Sequence, residues 1–213
     1  MHNHRQGNNG IWAGNLNQIR IGHLPDEVVD KLISLTTDEE LLDHNTIHGF
    51  YPNSKVNAHN DKMLSITEGE EVSFQAIHIP MKGIRGKYST ENGMIEGTGF
   101  FDILKLKVGA RVALITNLDQ IDDLMNGQWG TIVGLETKPH KCAIVKFDDP
   151  NVGKMQRQAH SDLANKYDGG TPIFYYELEF SLKTNPNLKG KIQQIPLRLS
   201  WASTFHKVQV NNS

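Results

Sequence analysis

Gln194-Ile195-Pro196-Leu197-Arg198-Leu199-Ser200-Trp201-Ala202-Ser203-Thr204-Phe205-His206-Lys207-Val208-Gln209 is the run from which the architecture can be read. An apolar strand leads into it, and Ser200 to Gln209 reads as a strand end turning into a short helix. Ser203 and Thr204 fall at that junction, where hydroxyls and free backbone N–H groups can receive a phosphate oxygen. His206 and Lys207 add donors beside them. A helix cap at Thr204 and a solvated Lys207 are the plainer reading of the same residues.

Upstream of this run, Lys191 to Leu199 and Ile173 to Leu182 read as strands. Polar Asn151 to Gly170 separates them from three shorter strand signals, Arg111 to Thr116, Gln128 to Glu136 and Cys142 to Phe147. Each is bounded by Gly, Asn, Asp or Pro, and that spacing suggests a small, strongly bent antiparallel barrel from which 151–170 is an excursion. Asn126-Gly127 followed by Gly130 reads as a hairpin turn, because both glycines permit positive φ. Trp129 is expected to be buried rather than to serve as a stacking platform.

The first half has a different character. Leu24 to Leu35 carries Pro25 where a helix start tolerates it, Asp26 and Glu27 where the dipole favours negative charge, and Val28, Val29, Leu32 and Ile33 at helical spacing. A second helix is expected after Thr37, with Leu41 and Leu42 inward. Thr46 to Tyr51 reads as a strand stopped by Pro52. Ser54 is a candidate cap for a third helix with Val56, Met63 and Leu64 on one side and Asn57 and Asn60 near that face. Val72, Phe74 and Ala76 alternate as in a strand, after which loops are expected up to Phe101. An α/β portion at both ends with an all-β portion between is the pattern of an inserted domain.

Composition narrows the class. The 213 residues carry a formal net charge of −2, so no global basic field announces nucleic acid and strand binding must come from a local site. The one cysteine, Cys142, forms no internal disulfide, which fits a reducing compartment; an intracellular protein, nuclear or mitochondrial in a eukaryote and not secreted, is expected. The polar start, residues 1–11, reads as a disordered lead-in without a signal peptide, and no membrane partner is expected. Gly83 to Ser89 imitates a phosphate loop, but two residues separate its glycines and Tyr88 stands where a hydroxyl must follow the lysine. His2 with His4, and His44 with His48, lack accompanying carboxylates or cysteines at ligand spacing, so no metal is expected.

The terminal run resembles the pattern Q-x-P-L-x-L-A-W-A-x-T-x-H-K-x-Q-G of the PIF/RecD-like superfamily 1B DNA helicases. Leu106 to Leu118 and Asn126 to Gly134 look like that family's barrel insert, Leu16 to Gly22 like the helix and turn opening its second motor domain, and Asn53 to Asn60 like a motif near its nucleotide cleft. Val210 departs from the pattern's glycine, and Ala113 from a usual methionine. The resemblance implies an α/β fold, a partial RecA-like motor domain interrupted by a small SH3-like β-barrel insert. Its expected parts are a first RecA-like portion over 12–107, the insert over 108–195 and a return strand with the DNA-contacting motif over 196–213. It also implies that Ser203, Thr204, His206 and Lys207 touch DNA, and that Gln209, Asn57 and Asn60 couple strand contact to the nucleotide cleft.

A complete motor needs a first lobe with a phosphate loop and a magnesium-binding carboxylate, and an arginine finger on the second. None is found in this sequence. The chain is therefore expected to be a monomeric helicase fragment that binds single-stranded DNA, docks a missing N-terminal motor domain, and binds no cofactor alone; ATP and Mg2+ belong to the complete helicase. A non-enzymatic remnant holding single-stranded DNA or a protein is the competing reading, and a functionless relic of a mobile element the third.

Overall fold

The computed structural model describes residues 10–38, 46–79, 88, 90–91, 93–182, 187 and 189–204. They divide into two units, 10–46 and 47–204. The first holds helices α1, Gly10–Arg20, and α2, Asp26–Ser34. Helix α1 begins at Gly10, inside the stretch expected to be a lead-in. Helix α2 starts behind Pro25 with Asp26 and Glu27 in its first turn, as expected. Only Val28 of its apolar set is buried; Leu32 and Ile33 remain exposed. The helix expected to carry Leu41 and Leu42 lies outside the described residues.

The second unit opens with strand β1, His48–Phe50, and helix α3, Asn53–Ile66. Ser54 does not cap α3. Pro52, extended at φ −87° and ψ 140°, ends the strand, and the helix begins directly behind it with Ser54 exposed in the first turn. At the far end the Thr67 hydroxyl donates to the Met63 carbonyl at 2.8 Å. Strand β1 pairs in parallel with the last described strand, here named by its residues Ala202–Thr204, in the register His48 to Ala202 and Phe50 to Thr204. Parallel neighbours require a crossover. Here it comprises α3 and everything between residues 67 and 201, so the two ends of this unit close one α/β layer around an insertion.

Within the insertion, β2 (Val72–Gln75) is followed by β3 (Ile77–Ile79), β4 (Thr90–Glu91), β5 (Met94–Ile95) and β6 (Ile103–Leu106). Strand β2 pairs with β6, and β4 with β5. The stretch expected to be loops thus carries three further strands. Next come β7 (Arg111–Leu114), β8 (Trp129–Glu136), β9 (Cys142–Phe147), helices α4 (Lys154–Ala159) and α5 (Ser161–Lys166), and strands β10 (Thr171–Phe174), β11 (Tyr176–Ser181), β12 (Lys189–Gln194), β13 (Leu197–Leu199) and β14 (Ala202–Thr204). An antiparallel sheet runs β10-β9-β8-β7-β13, bent by a register shift between Ile132 and Gly134. Among the described pairings its edge strands β10 and β13 do not meet. A second sheet runs β11-β12-β3.

The main core joins the strands to α3 through Leu64, Phe74, Leu106, Val112, Leu114, Ile132, Val145 and Trp201. A smaller cluster of Tyr88, Ile95, Phe100, Phe180 and Ile192 fills the space beside β11 and β12. Arg111 reaches across the sheet to donate two bonds to the Asp148 carboxylate, at 2.7 and 2.6 Å, and a third to Thr131 at 3.1 Å.

Two turn expectations change. Asn126 and Gly127 do not join β7 to β8 directly; they close a loop spanning 115–128, where Gly127, at φ +95°, donates its N–H to the Leu114 carbonyl. Gly130 does not need positive φ. It lies in β8, where an added Cβ would sit 2.6 Å from the Lys146 carbonyl oxygen and 2.9 Å from the Phe147 Cα, so only glycine lets β8 and β9 approach so closely. Trp129 is half-buried, and its indole Nε1 is enclosed without a hydrogen-bond partner among the described residues.

The excursion at 151–170 is helical, and its order comes from a distance. The buried Asp122 carboxylate accepts the Met155 and Gln156 N–H groups at 2.7 and 2.9 Å, satisfying the first turn of α4 from another loop. Tyr167 lies over Gly134, and its hydroxyl donates to Glu136 at 2.6 Å.

Cys142 is fully enclosed in β9, and burial, with the Glu136 charge second, pushes its thiol up to about 11. Alkylation by iodoacetamide at pH 8 should be slower in the folded chain than in urea by on the order of a hundredfold, since the thiolate is the reacting form. Equal rates in the two states would show that β9 opens readily.

Candidate nucleic-acid interface

The two segments that enclose the insertion meet at a corner. Strand β13 pairs with β7, Ser200 donates its N–H to the Arg111 carbonyl, and β14 then leaves to pair with β1. Asn60 of α3 fastens this corner. Its side-chain oxygen accepts the Ala202 N–H at 2.8 Å, while its Nδ2 donates to the carbonyls of Ala202 at 3.2 Å and Leu199 at 3.3 Å. Asn60 is 6 % exposed, so its amide is committed to backbone.

A groove of about 1170 Å3 runs over the corner. It is lined by Arg198, Leu199 and Ala202 to Thr204 along the corner, by one face of α3 from Asn53 to Leu64, by β5 with loop 96–99, and by Asn126 and Gly127. Four residues singled out from the sequence, Asn57, Asn60, Ser203 and Thr204, line it together. Asn57 is half-buried. Ser203 and Thr204, expected to offer hydroxyls at an open junction, are buried instead, because β14 is covered by α3 and paired with β1. The enclosed Ser203 hydroxyl has no partner among the described residues. His206, Lys207 and Gln209 lie outside the described residues.

Arg198 was missed. It follows the buried Leu197 in β13, and period-2 alternation sends it to the face opposite that core leucine, where it lines the groove beside the half-buried Leu199. The described residues give it no ion pair, and burial lowers its guanidinium from its ordinary value. Lys105 pairs with Glu71 at 3.1 Å. Asp61, Glu91 and Glu96 also line the groove, so attraction for an anion concentrates at the Arg198 end. The groove offers ATP with Mg2+ no phosphate loop among the described residues, and three carboxylates oppose a triphosphate there. Among the described residues no cluster of three His, Cys, Asp or Glu side chains is placed to hold a metal. His48 instead packs its ring 4.4 Å from that of His59.

Residues 101–135 match the family described as DNA helicase Pif1, 2B domain. The chain is 25 % identical over 197 residues to the ATP-dependent DNA helicase Pif1 of Psychrobacter sp. (strain PRwf-1), an alignment covering 79 % of this chain and 29 % of that protein. Among solved structures, a double mutant of Pif1 helicase from Bacteroides superposes with a TM-score of 0.61 at 24 % identity, covering 92 % of this chain and 39 % of the other. Bacteroides Pif1 bound to ssDNA gives 0.58 at 24 % over 92 % and 39 %. The class is thus a helicase-type α/β fold interrupted by β strands. More particularly, the chain is similar to Pif1 helicases over most of its length and to the Pif1 2B domain at residues 101–135, and it spans less than half the length of these relatives.

Proposed function

We propose that this chain is the strand-gripping part of an ATP-dependent DNA helicase whose complete form translocates on single-stranded DNA and separates duplexes. The observation that carries the reading is the Asn60-clamped corner, which sets Arg198 and Thr204 along one groove immediately before His206 and Lys207 in the chain. A solved relative described as bound to ssDNA supports it. In this reading His206 and Lys207 supply phosphate donors, and Asn57, Asn60 and Gln209 relay strand occupancy toward a nucleotide cleft; Asn60 acts through the corner it holds. ATP and Mg2+ sit against a further motor lobe, the chain alone hydrolyses no ATP, and it works as a monomer inside the cell. No helix among the described residues is long and apolar enough to cross a membrane.

Fluorescent single-stranded DNA should bind the purified chain with an affinity that falls steeply with salt. Lys207→Ala should weaken it roughly three- to tenfold and reduce the salt slope by about one. A folded chain that binds no strand, or one with robust ATP turnover in a clean preparation, sinks the reading.

A further inference from the structure

A second cleft, of about 330 Å3, opens where the two insertion sheets adjoin. Ile77, Pro139, Phe174 and Tyr175 give it an apolar lining, and His140, Lys141 and Gln193 its polar edge. The chain passes between sheets here: β10 ends at Phe174, β11 begins at Tyr176, and Tyr175 is the single residue between them. The aromatic rings are held in place before anything binds. Tyr175 donates its hydroxyl to the Gln75 carbonyl at 3.0 Å, and His160 packs 4.8 Å from the Phe174 ring. Both rings stay half-exposed, and Ile77 is 49 % exposed.

Lys138, His140 and Lys141 are exposed within four residues of chain, and no carboxylate lines the cavity. Two carboxylates of the adjoining strands are engaged: Glu177 accepts from Lys191 at 2.7 Å and from Gln193 at 3.1 Å, and Glu136 from Lys166 and Tyr167. Fixed aromatic surface beside the exposed amines of Lys138 and Lys141 suits a flat, anionic ligand, and the volume lies at the small end of ligand sites. We infer that this cleft is a second contact for single-stranded nucleic acid, taking one unpaired base against Tyr175 and Phe174 with its phosphate on Lys141 and His140. The inference rests on the strand-binding reading above and adds the insertion to the strand's path.

The test uses the full chain and an oligothymidylate carrying one 2-aminopurine, whose fluorescence is quenched or restored as its stacking changes. Lys138→Glu with Lys141→Glu reverses two exposed charges without touching the core. Binding should weaken roughly tenfold, the salt slope should fall by about two, and the bound-state fluorescence change should be lost. Tyr175→Leu, checked for an unchanged melting temperature, should reduce that fluorescence change with a smaller shift in salt slope. If the charge reversal leaves affinity and fluorescence unchanged while Lys207→Ala still weakens binding, the cleft is off the strand's path and only this inference falls. If the wild-type chain binds no strand, both readings fall. Tyr175 responding to a proline-rich peptide but not to the oligonucleotide would overturn it in favour of a protein partner.

Discussion

Asn60→Leu should destabilise the second unit by about 3 kcal/mol, lowering the urea midpoint by roughly 1.5 M at a slope of about 2 kcal/mol per M. Leucine is similar in size, so the cost is not a cavity. It arises because the Ala202 N–H and the carbonyls of Ala202 and Leu199, all met by one amide, lose that partner at a corner closed to water. Each orphaned buried backbone group costs about 1–3 kcal/mol, and the 3.3 Å bond to Leu199 contributes least. Aspartate is no rescue: it keeps an acceptor for the Ala202 N–H but turns an oxygen toward two carbonyls. A midpoint shift below about 0.3 M would show that the corner holds without Asn60. Strand binding is the second readout, since loosening the floor under Arg198 and Thr204 should weaken it even where the protein remains folded.

That clamp shows what the sequence could and could not disclose. Asn57 and Asn60 were visible as polar residues beside an apolar helix face, but the partners of Asn60 lie about 140 residues away, and no local pattern encodes them. Ser203 and Thr204 were marked by their place in the terminal run, whereas their burial follows from β14 lying between α3 and β1. Arg198 did leave a signal, since an arginine next to an apolar residue such as Leu197 in a strand faces away from the core that residue enters. It was legible and went unread.

The fold divides in the same way. Helix α2 and strands β7, β8 and β9 were readable because a leading proline, dipole-matched charges and turn residues act within a few positions. The break at Tyr175 was hidden, as β10 and β11 form one continuous strand-like run and a change of sheet leaves period-2 alternation intact. Helices α4 and α5 are six residues each, too short to display an apolar stripe, and α4 takes its N-terminal acceptor from Asp122, more than thirty residues earlier. Ser54 illustrates the opposite error: the local cap signal was real, but Pro52 had already fixed the helix start.

The Arg111–Asp148 pair should show an asymmetry that its geometry dictates. The Arg111 side chain is 7 % exposed and that of Asp148 52 %, so the two partners differ in what they can recover from water. Asp148→Ala leaves a guanidinium enclosed with Thr131 as its remaining acceptor among the described residues and should cost about 3 kcal/mol. Arg111→Met keeps the stem's packing and leaves a carboxylate that water can solvate, so about 1 kcal/mol is expected. The two should separate in urea midpoint by about 1 M. Because the pair ties β7 and β8 to the end of β9, Asp148→Ala should also loosen the 126–127 end of the groove and weaken strand binding more than Arg111→Met does. A reversed ranking would mean that water reaches the guanidinium, and that this end of the sheet is open rather than closed.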